Sequence, residues 1–422
     1  MTAGMDPVEA HLAEALAAIR PLAPSSLGLE AAEGTVLAED AVALGALPSF
    51  DNSAMDGYAV RASDVSGASS GAPVSLPVTD EIAAGDTRAL SVARGTCMRI
   101  MTGALMPGGA DAVVPVEWTD GGRDRAAFSQ PAPVGNAIRH RGDDVAEGAV
   151  LLIAGTRLGP AQIGVLAAGG HGSVLARRRP RVAVLATGNE LTGPGTPLTP
   201  GRIWDSNSYM LAAAVRQAGG VATRYSVTDE PSVVLAEIER LARLSDLLIT
   251  SGGVSMGGEH DVVKAALSRD PELGEGWLDP NTAVTFRKVA MQPGMPQGFG
   301  VVGPDRTPIF TLPGNPVSAF VSFHLFVRPA MDALQGLDPA PGPGARSLPT
   351  VRAALTAPVR SPEEKRSYLR GWLDPASGIV TPLTGQGSHQ LGVLARANAL
   401  IVVPEKVVRL EVGDVADVMS LP

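Results

Sequence analysis

Two glycine pairs near the middle of the chain could hold an anion. An apolar run at residues 247–249 leads into Thr-Ser-Gly-Gly at residues 250–253, a second glycine pair follows, and helical spacing resumes after Asp261. Glycines let backbone N–H groups approach a ligand closely, and the N-terminus of a helix adds a positive partial charge. The pattern therefore indicates phosphate binding, although a strand-to-helix turn that binds nothing can have the same glycines.

Carboxylates lie beside these glycines and beside two other loops. Glu190 comes shortly after an apolar run at residues 182–186, Asp229 follows a similar run, and Asp261 follows the second glycine pair. Oxygen ligands of this kind suit Mg²⁺ that bridges to a phosphorylated ligand. Asp229 has an alternative role, because Pro231 lies just behind it and the acid could cap a helix.

Several chemistries are excluded by motif and composition. The chain has no G-x-x-x-x-G-K-[ST] and no H-E-x-x-H, and its six histidines lack the spacing of zinc ligands. The single cysteine, Cys97, excludes a disulfide framework or a cysteine-based zinc site and fits a reducing cytoplasm. A formal net charge of −9 argues against a nucleic-acid surface.

Length and composition predict a soluble protein of several domains. A chain of 422 residues is too long for one core, and its 49 glycines and 35 prolines imply many turns. The longest apolar stretch, near residues 317–327, is too short to span a bilayer. No signal peptide is evident at the N-terminus. We therefore expect a cytoplasmic protein that contacts neither membrane nor nucleic acid.

The elements that must position the polar loops form an α/β pattern after residue 182. Strands are predicted at residues 182–186, 221–227, 247–250, 285–291 and 309–312, alternating with helices. This alternation predicts a parallel sheet in a three-layer domain. Ligands bind such sheets at the carboxyl ends of the strands. Glu190, Asp229, residues 251–261 and residues 313–315 all follow strands, so four polar loops should converge on one edge.

The remaining sequence predicts an α/β plus β protein with four parts. Short strands separated by Gly, Pro and Asp turns indicate an inserted β-rich module at residues 48–144. An elongated framework domain at residues 1–47 and 145–178 flanks it. The α/β domain covers residues 179–335, and a small β-barrel covers residues 345–422.

Three polar clusters stand out in the inserted module. They occupy residues 50–59, 99–104 and 139–144, and they combine acids, hydroxyls and bases. Taken alone, each is compatible with an Asx turn or a solvated run of charges.

The motifs together resemble a known family. They read Phe-Asp-Asn-Ser-Ala-Met-Asp-Gly-Tyr-Ala at residues 50–59, Gly-Thr-Cys-Met-Arg-Ile-Met-Thr-Gly-Ala at 95–104, Ser-Gly-Gly-Val-Ser at 251–255, and Leu-Pro-Gly-Asn-Pro-Val-Ser at 312–318. With these motifs, the chain resembles the bacterial molybdopterin molybdenumtransferases, which complete the assembly of the molybdenum cofactor. The resemblance covers essentially the whole length and the domain order.

The resemblance implies a reaction and an assembly. Adenylylated molybdopterin and molybdate would give molybdenum cofactor and AMP with the help of a divalent cation, usually Mg²⁺. The protein would be a homodimer whose active site lies between the α/β domain of one chain and the inserted module of the other. An upstream molybdopterin adenylyltransferase would supply the substrate.

The resemblance and the loop chemistry together predict the site residues. The residues expected to act in the reaction are Asp56, Thr102, Asp144, Arg139 and Lys288. The residues expected to bind the pterin, its phosphates or an oxyanion are Thr187, Gly188, Asp205, Ser206, Asn207, Ser251, Gly252, Gly253, Ser255, Pro313, Gly314, Asn315, Arg370 and Ser388. The expected Mg²⁺ ligands are Glu190, Asp229 and Asp261.

Two departures from the family pattern leave alternatives open. The glycine loop is one residue longer than usual, so either Glu259 or Asp261 could fill the acidic position. The family usually carries Lys-Pro-Gly-Lys-Pro where this chain has Gln292, Met295 and the intervening Pro-Gly. Loss of two cations is compatible with an enzyme that holds its anion by other groups. It is also compatible with a non-catalytic or altered-specificity paralogue that binds molybdopterin.

Overall fold

A computed structural model describes residues 4–253, 261–267, 279–337 and 350–421. The predicted positions Ser255 and Glu259 lie outside these ranges. The chain divides into two compact units. The first unit comprises Met1–Ser25, Gly34–Val36 and Ala176–Pro422, and the second comprises Ser26–Glu33 and Leu37–Leu175.

The first unit is built on a six-stranded sheet. In chain order its strands are β1 (Arg181–Thr187), β2 (Val221–Val227), β3 (Leu247–Ser251), β4 (Ala283–Lys288), β5 (Pro296–Val302) and β6 (Thr307–Leu312). Their spatial order is β2-β1-β3-β6-β5-β4. The first four strands in this order are mutually parallel, whereas β5 and β4 are antiparallel to their neighbours.

The expectation of a fully parallel sheet was therefore wrong. Strand β5 was not predicted, because Gly298 and Gly300 interrupt its apolar pattern. These glycines are needed for packing, since a Cβ on Gly298 would lie 1.9 Å from the Thr311 hydroxyl oxygen. The predicted strand at residues 285–291 occurs as β4 and ends at Lys288, before a short strand at Met291–Gln292.

Helices cover both faces of this sheet. Alternate residues of β1 explain the layering, because Val182 and Val184 belong to one apolar cluster and Ala183 and Leu185 to another. The helices of the unit are Val8–Ala18, Asn207–Gln217, Pro231–Ala242, Val262–Leu267, Pro316–Ser322, the π-helical Phe323–Val327, and Arg328–Leu334. The two clusters give the three-layer α/β architecture predicted from sequence.

A closed β-barrel occupies the C-terminal part of the first unit, as expected. Its five strands, in the order in which they pair around the barrel, are Arg366–Asp374, Ile379–Pro382, Thr350–Leu355, Val415–Ser420 and Ala399–Val403. The last strand pairs with the first, which closes the barrel and leaves no free edge between them. A short pair, Val359–Arg360 with Arg409–Leu410, and the helix Leu391–Leu394 complete this part.

The second unit contains the β-rich module. Its five-stranded sheet has the order Ala112–Pro115, Gly57–Val60, Cys97–Ile100, Val74–Ile82 and Arg125–Phe128. An apolar cluster around Tyr58 and Phe128 fills one side of the sheet. Smaller elements in the same part of the chain are the pairs Asn52–Ser53 with Ile138–Arg139 and Ala41–Val42 with Val150–Leu152, and the helices Leu29–Ala32, Ala62–Val65, Val116–Trp118 and Pro160–Ala168.

Short strands at Ser25–Gly28, Val36–Leu37, Ser173–Arg177, Leu191–Thr192 and Ile203–Trp204 complete the described strands. None of the helices in the described ranges is both long and apolar enough to cross a membrane. The four domain boundaries given above stay predictions.

Two histidines are buried in the apolar core of the first unit. His11 packs edge-on against Phe326, with ring centroids 4.7 Å apart, and His324 packs similarly against Phe320 at 4.5 Å. Neither ring nitrogen of His324 has a hydrogen-bond partner in the described part of the chain. Burial lowers the pKa of His11 from 6.5 to about 4 and that of His324 to about 3.

We predict that acid destabilises the first unit through these histidines. Between pH 6.5 and about 4 the unfolded chain binds protons that the folded chain does not, so stability falls as pH is lowered, by about 1.4 kcal/mol per pH unit for each histidine. Thermal unfolding measured from pH 7 to pH 5 should show this slope. His324→Phe should reduce the slope of stability against pH and leave the part that comes from His11. The surface control His389→Phe should leave the slope unchanged; an unchanged slope in H324F would contradict the prediction.

Candidate functional site

The strand register of the first unit places most of the predicted loops on one edge of the sheet. Thr187, at the end of β1, pairs with Val227, at the end of β2. In β3, Ser251 is opposite both Ala186 of β1 and Leu312 of β6. The antiparallel pair brings Lys288 to the same edge, because β4 ends opposite the start of β5. This carboxyl edge therefore carries Lys288 and the loops that follow four parallel strands.

Asn207 ties three of these loops together. It opens the helix Asn207–Gln217, and its side-chain amide donates to the Ser251 hydroxyl at 2.8 Å and to the Gly314 carbonyl at 2.6 Å. Asp205 fixes the start of this helix, because its carboxylate accepts from the Ser208 backbone N–H at 3.0 Å and from the Ser208 hydroxyl. Ser208 is a positioning residue that the sequence did not reveal.

Glycine is required where the loops meet. Gly252 has φ of +99°, which disfavours other residues, and a Cβ there would lie 3.3 Å from the Thr187 carbonyl oxygen. A Cβ on Gly314 would lie 3.5 Å from the Cα of Gly252. The loops after β1, β3 and β6 therefore approach one another through backbone, and the Gly252 N–H donates to the Leu312 carbonyl at 3.1 Å.

Polar atoms without partners gather at this edge. The Thr187 hydroxyl, the Asn207 side-chain oxygen and Asp261 Oδ2 are buried and have no hydrogen-bond partner within the described residues. Buried polar groups are normally satisfied in native proteins. Their concentration where three loops meet indicates that a polar ligand completes their hydrogen bonds.

Glu190 and Asp229 lie on neighbouring loops of the edge. The Asn189 backbone N–H donates to the Asp229 carboxylate at 2.8 Å, and the Asp229 N–H donates back to the Asn189 side chain. Glu190 folds over the same loop, since a Cβ on Gly188 would lie 2.6 Å from its carboxylate oxygen. Asp229 thus joins two loops and does not cap the following helix, whose N-cap, Glu230, makes no side-chain cap either.

These acids fit an oxygen-ligated cation in part. The described ranges contain no group of three or more His, Cys, Asp or Glu side chains placed to hold a metal ion. Mg²⁺ usually takes only one or two protein carboxylates and completes its shell with phosphate and water. The linked loops of Glu190 and Asp229, and the unpartnered Oδ2 of Asp261, suit that arrangement. The metal ligands stay a prediction.

Arg370 supplies a buried cation in the barrel. Its side chain is fully buried, and Nη2 donates to the carbonyls of Gly385 at 2.8 Å and Gly387 at 3.1 Å. Nε and Nη1 have no partner among the described residues, and burial lowers the pKa of the guanidinium. A buried charge with unused donors is costly unless an anion pairs with it. Arg370 is therefore a buried cation with unused donors, and its role as an oxyanion ligand stays a prediction.

The loop beside Arg370 contacts the α/β domain. The Ser388 carbonyl accepts from the Val317 N–H at 3.0 Å, at the start of the helix that follows Asn315. Gln386, which sequence analysis did not identify, holds the backbone of Arg370 through two hydrogen bonds at 2.9 and 3.0 Å. The predicted residues Ser388 and Asn315 are thus brought near each other within one unit.

The turn that lacks the two lysines lies against the same barrel strand. Gln292 pairs with Ser367, three residues before Arg370. The turn is held by buried Gln297, whose amide donates to the Gly294 carbonyl and to the Ser322 hydroxyl, both at 2.6 Å. Gln292 is exposed and Met295 is half-buried, so neither supplies a charge at this position.

A separate constellation forms in the second unit. The Asp56 carboxylate accepts from the Thr102 hydroxyl and from the Thr102 backbone N–H, both at 2.7 Å. These two bonds, the hydroxyl first, lower the pKa of Asp56. The two residues are 46 positions apart, and strand pairing between Gly57 and Ile100 brings them together. The predicted acid and hydroxyl are therefore hydrogen-bonded to each other at the surface, with the acid ionised.

The third cluster packs beside the first. The Asp51 carboxylate accepts from the Arg141 N–H at 2.7 Å, and its other oxygen is 3.2 Å from His140 Nδ1. Arg139 pairs through its backbone with Asn52, next to Asp51. Asp51 and His140 lie in the polar clusters found in the sequence, but they were not among the predicted site residues. The side chains of Arg139 and Asp144 make no hydrogen bond or ion pair to a described residue, so their roles stay predictions.

Comparison with known proteins gives a consistent result. The chain matches "MoeA N-terminal region (domain I and II)" at residues 7–170, "Probable molybdopterin binding domain" at 183–333 and "MoeA C-terminal region (domain IV)" at 352–421. Molybdopterin molybdenumtransferase 2 of Mycobacterium tuberculosis (strain CDC 1551 / Oshkosh) is 48% identical over 412 residues, which is 97% of each chain. Molybdopterin molybdenumtransferase of Bacillus subtilis (strain 168) is 35% identical and covers 87% of this chain and 83% of its own. The solved structure of the molybdopterin biosynthesis moea protein from Pyrococcus horikosii superposes with a TM-score of 0.76 and 31% identity over 99% of both chains.

We predict that Thr102→Val raises the pKa of Asp56. The variant removes the hydroxyl bond and keeps the backbone bond, so the pKa should rise part of the way toward its ordinary value of 3.8. Carboxyl-carbon NMR titration measures this directly. Asp51, whose pKa is lowered chiefly by the Arg141 backbone N–H, is the internal control and should not move. No change at Asp56 would show that the hydroxyl bond does not hold the ionised acid.

Proposed function

The chain belongs to the molybdopterin molybdenumtransferase family, and from this premise we propose that it transfers molybdate to adenylylated molybdopterin with Mg²⁺-dependent release of AMP to give molybdenum cofactor. The proposal rests on two features of the first unit. The carboxyl edge of the sheet has buried polar atoms without hydrogen-bond partners, and the buried Arg370 has two unused donors. The first feature suits a pterin with phosphates, and the second suits a small oxyanion. A protein that has a site for each of these two ligands is suited to join molybdate to the pterin.

The carboxyl edge would bind adenylylated molybdopterin. Thr187 and Asn207 have unused hydrogen-bonding oxygen atoms, and Gly252 and Gly314 bring backbone close to the ligand. Ser251 is held in position by Asn207. Binding here would satisfy polar atoms that otherwise remain without partners, which favours the bound state. Lys288 adds a positive charge at the same edge.

Mg²⁺ would be held by one or two of the predicted carboxylates Glu190, Asp229 and Asp261, with phosphate oxygens and water completing its shell. When bound, the ion supplies neutralisation of the pyrophosphate charge during P–O cleavage. The contribution of the chain itself is to fix the loops, because the reciprocal bonds between Asn189 and Asp229 hold the two acidic loops in register.

Molybdate would be held by Arg370 and Ser388. Arg370 has two donors without partners, Nε and Nη1, and each would donate to an oxyanion oxygen. The carbonyls of Gly385 and Gly387 hold its other terminal nitrogen and so fix the plane of the guanidinium. The exposed Gln292 and the half-buried Met295 add no charge, so Arg370 would be the principal cation for this anion.

Asp56 would orient a water molecule or a molybdate oxygen. The two hydrogen bonds from Thr102 keep its carboxylate ionised and fix one oxygen, which leaves the other free to accept a proton-bearing ligand. We propose that Asp56 reaches the carboxyl edge of a second chain in a homodimer, as the family resemblance implies. Arg139 and Asp144 would support the charge balance of that module. The protein would act in the cytoplasm and receive its substrate from a molybdopterin adenylyltransferase.

We predict that Arg370→Gln weakens the use of molybdate and spares pterin binding. Purified protein is supplied with adenylylated molybdopterin, Mg²⁺ and increasing molybdate, and AMP and active cofactor are measured. Loss of this charge-assisted contact should raise the molybdate requirement at least about tenfold. Arg352→Gln, an exposed barrel arginine, is the matched control and should behave as wild type.

The same assay tests the proposed reaction as a whole. Asp56→Asn should suppress turnover without weakening pterin binding, because it changes charge and not shape. Tight pterin binding by the wild-type protein without Mg²⁺-dependent release of AMP would contradict the transferase reaction. A normal molybdate requirement in R370Q would remove Arg370 from the anion site.

We predict that two inactive variants restore activity when mixed. In a site shared between chains, a heterodimer of Asp56→Asn and Glu190→Gln has one fully intact site and one doubly altered site. Random exchange of subunits should therefore give about a quarter of the wild-type rate. Turnover is measured after co-refolding or co-expression. No recovery in a mixed dimer would show that Asp56 and Glu190 act within the same chain.

A further inference from the structure

A cavity of about 900 Å³ lies at the opposite edge of the six-stranded sheet. Its lining includes Arg181 at the start of β1 and Thr307 at the start of β6, so it faces the amino ends of the parallel strands. Strand β1 has seven residues, which separates this edge from the carboxyl edge by about 20 Å. The cavity is therefore distinct from the site proposed above, and no residue of that site lines it.

Arginines dominate the charge of this cavity. Four of them line it, and they are Arg20, Arg181, Arg243 and Arg306. Arg181 pairs with the lining acid Asp246 at 3.3 Å, and Arg178 pairs with the same acid at 2.6 Å. Although burial acts to raise the pKa of Asp246, these arginine bonds lower it, so the acid is ionised and doubly paired. Asp246 is thus unavailable to neutralise other lining charges.

Three arginines remain uncompensated. The side chains of Arg20, Arg243 and Arg306 make no hydrogen bond or ion pair with any residue in the described ranges, and only Asp305 adds a second negative charge to the lining. Arg20, Arg243 and Arg306 are exposed, and four arginines against two acids give the lining a positive charge in a protein of net charge −9. Arg306 also adopts φ of +53°, a conformation that glycine or asparagine adopts more easily.

Apolar residues also line the cavity, together with Ser245 and Thr307. Leu22 and Pro308 line the cavity beside the arginines, as does Leu334 at the end of a helix. Cavities of a few hundred to about 1,000 Å³ with apolar walls and a few convergent polar groups are typical of small-molecule sites. Apolar residues can pack against a flat ring. They would not favour a bare anion, because a bare anion keeps its water shell.

We propose that this cavity binds a small organic phosphate, with its phosphate groups on Arg20, Arg243 and Arg306 and an apolar ring against Leu22 and Pro308. Nucleoside phosphates have this combination of ring and charge. The inference is independent of the proposed transferase reaction, because it concerns the other edge of the sheet. It assigns the first unit a second ligand site.

Isothermal titration calorimetry on the full chain tests the proposal with ADP as the probe. Wild-type protein should bind ADP, and Arg20→Gln with Arg243→Gln should weaken that binding at least about tenfold. The matched control, Arg352→Gln with Arg360→Gln, removes two exposed barrel arginines and should leave affinity unchanged. Unchanged affinity in R20Q/R243Q, or no ADP binding by the wild type, would overturn the proposal.

Two further titrations test the role of the apolar residues and identify the edge of the sheet at which the probe binds. Inorganic pyrophosphate, which has the charge without the ring, should bind more weakly than ADP; equal affinity would overturn the role of the apolar wall. Asp229→Asn alters the carboxyl edge and should leave the arginine-dependent ADP binding intact. If D229N abolishes that binding, the probe occupies the carboxyl edge and the second site is disproved, whereas failure of the transferase assay leaves this result unaffected.

Discussion

The parallel register of four strands is the constraint on which the candidate site depends. Because β1, β2, β3 and β6 run in the same direction, each must leave the sheet at the same edge. A shift of one residue would exchange the side chains that pack into the two core clusters, so close packing on both faces fixes this register. Apolar packing below the loops therefore brings them to one edge, where the hydrogen bonds of Asn207 and Asp229 join them.

That arrangement has a cost which a ligand can relieve. A buried polar group without a partner destabilises the folded state by about 1–3 kcal/mol. Thr187, Asn207 and Asp261 each contribute such an atom at one edge, and Arg370 contributes two nitrogens in the barrel. Since the apolar clusters are extensive, the fold tolerates these groups. These atoms lower the stability of the ligand-free protein. A ligand that pairs with them removes that penalty, and this raises its affinity for a rigid site.

Sequence reasoning recovered the architecture better than the contacts. Alternating apolar runs predicted the three layers and the barrel, because burial patterns are local. Strand β5 was missed, since Gly298 and Gly300 carry no apolar side chain to signal burial, and the antiparallel direction of β4 was missed with it. The bond between Asp56 and Thr102 spans 46 positions, and no spacing rule connects them; only the motifs of the family resemblance selected both. Likewise, the pattern Thr-Asp-Glu-Pro suggested a cap at Asp229, whereas tertiary packing used that acid to join two loops.

The missing lysines weaken an anion site less than their number suggests. Gln292 is exposed, so a lysine in its place would act through water, where a unit charge at 4 Å contributes only about 1 kcal/mol and is further screened by salt. Arg370 is fully buried, where the effective dielectric is lower and each remaining donor interacts more strongly with an oxyanion. Its guanidinium is also held in one plane by two carbonyls, so little side-chain entropy is lost when an anion binds. One buried, oriented cation can therefore do much of the work of several solvated ones, and the neutral turn is compatible with an intact site.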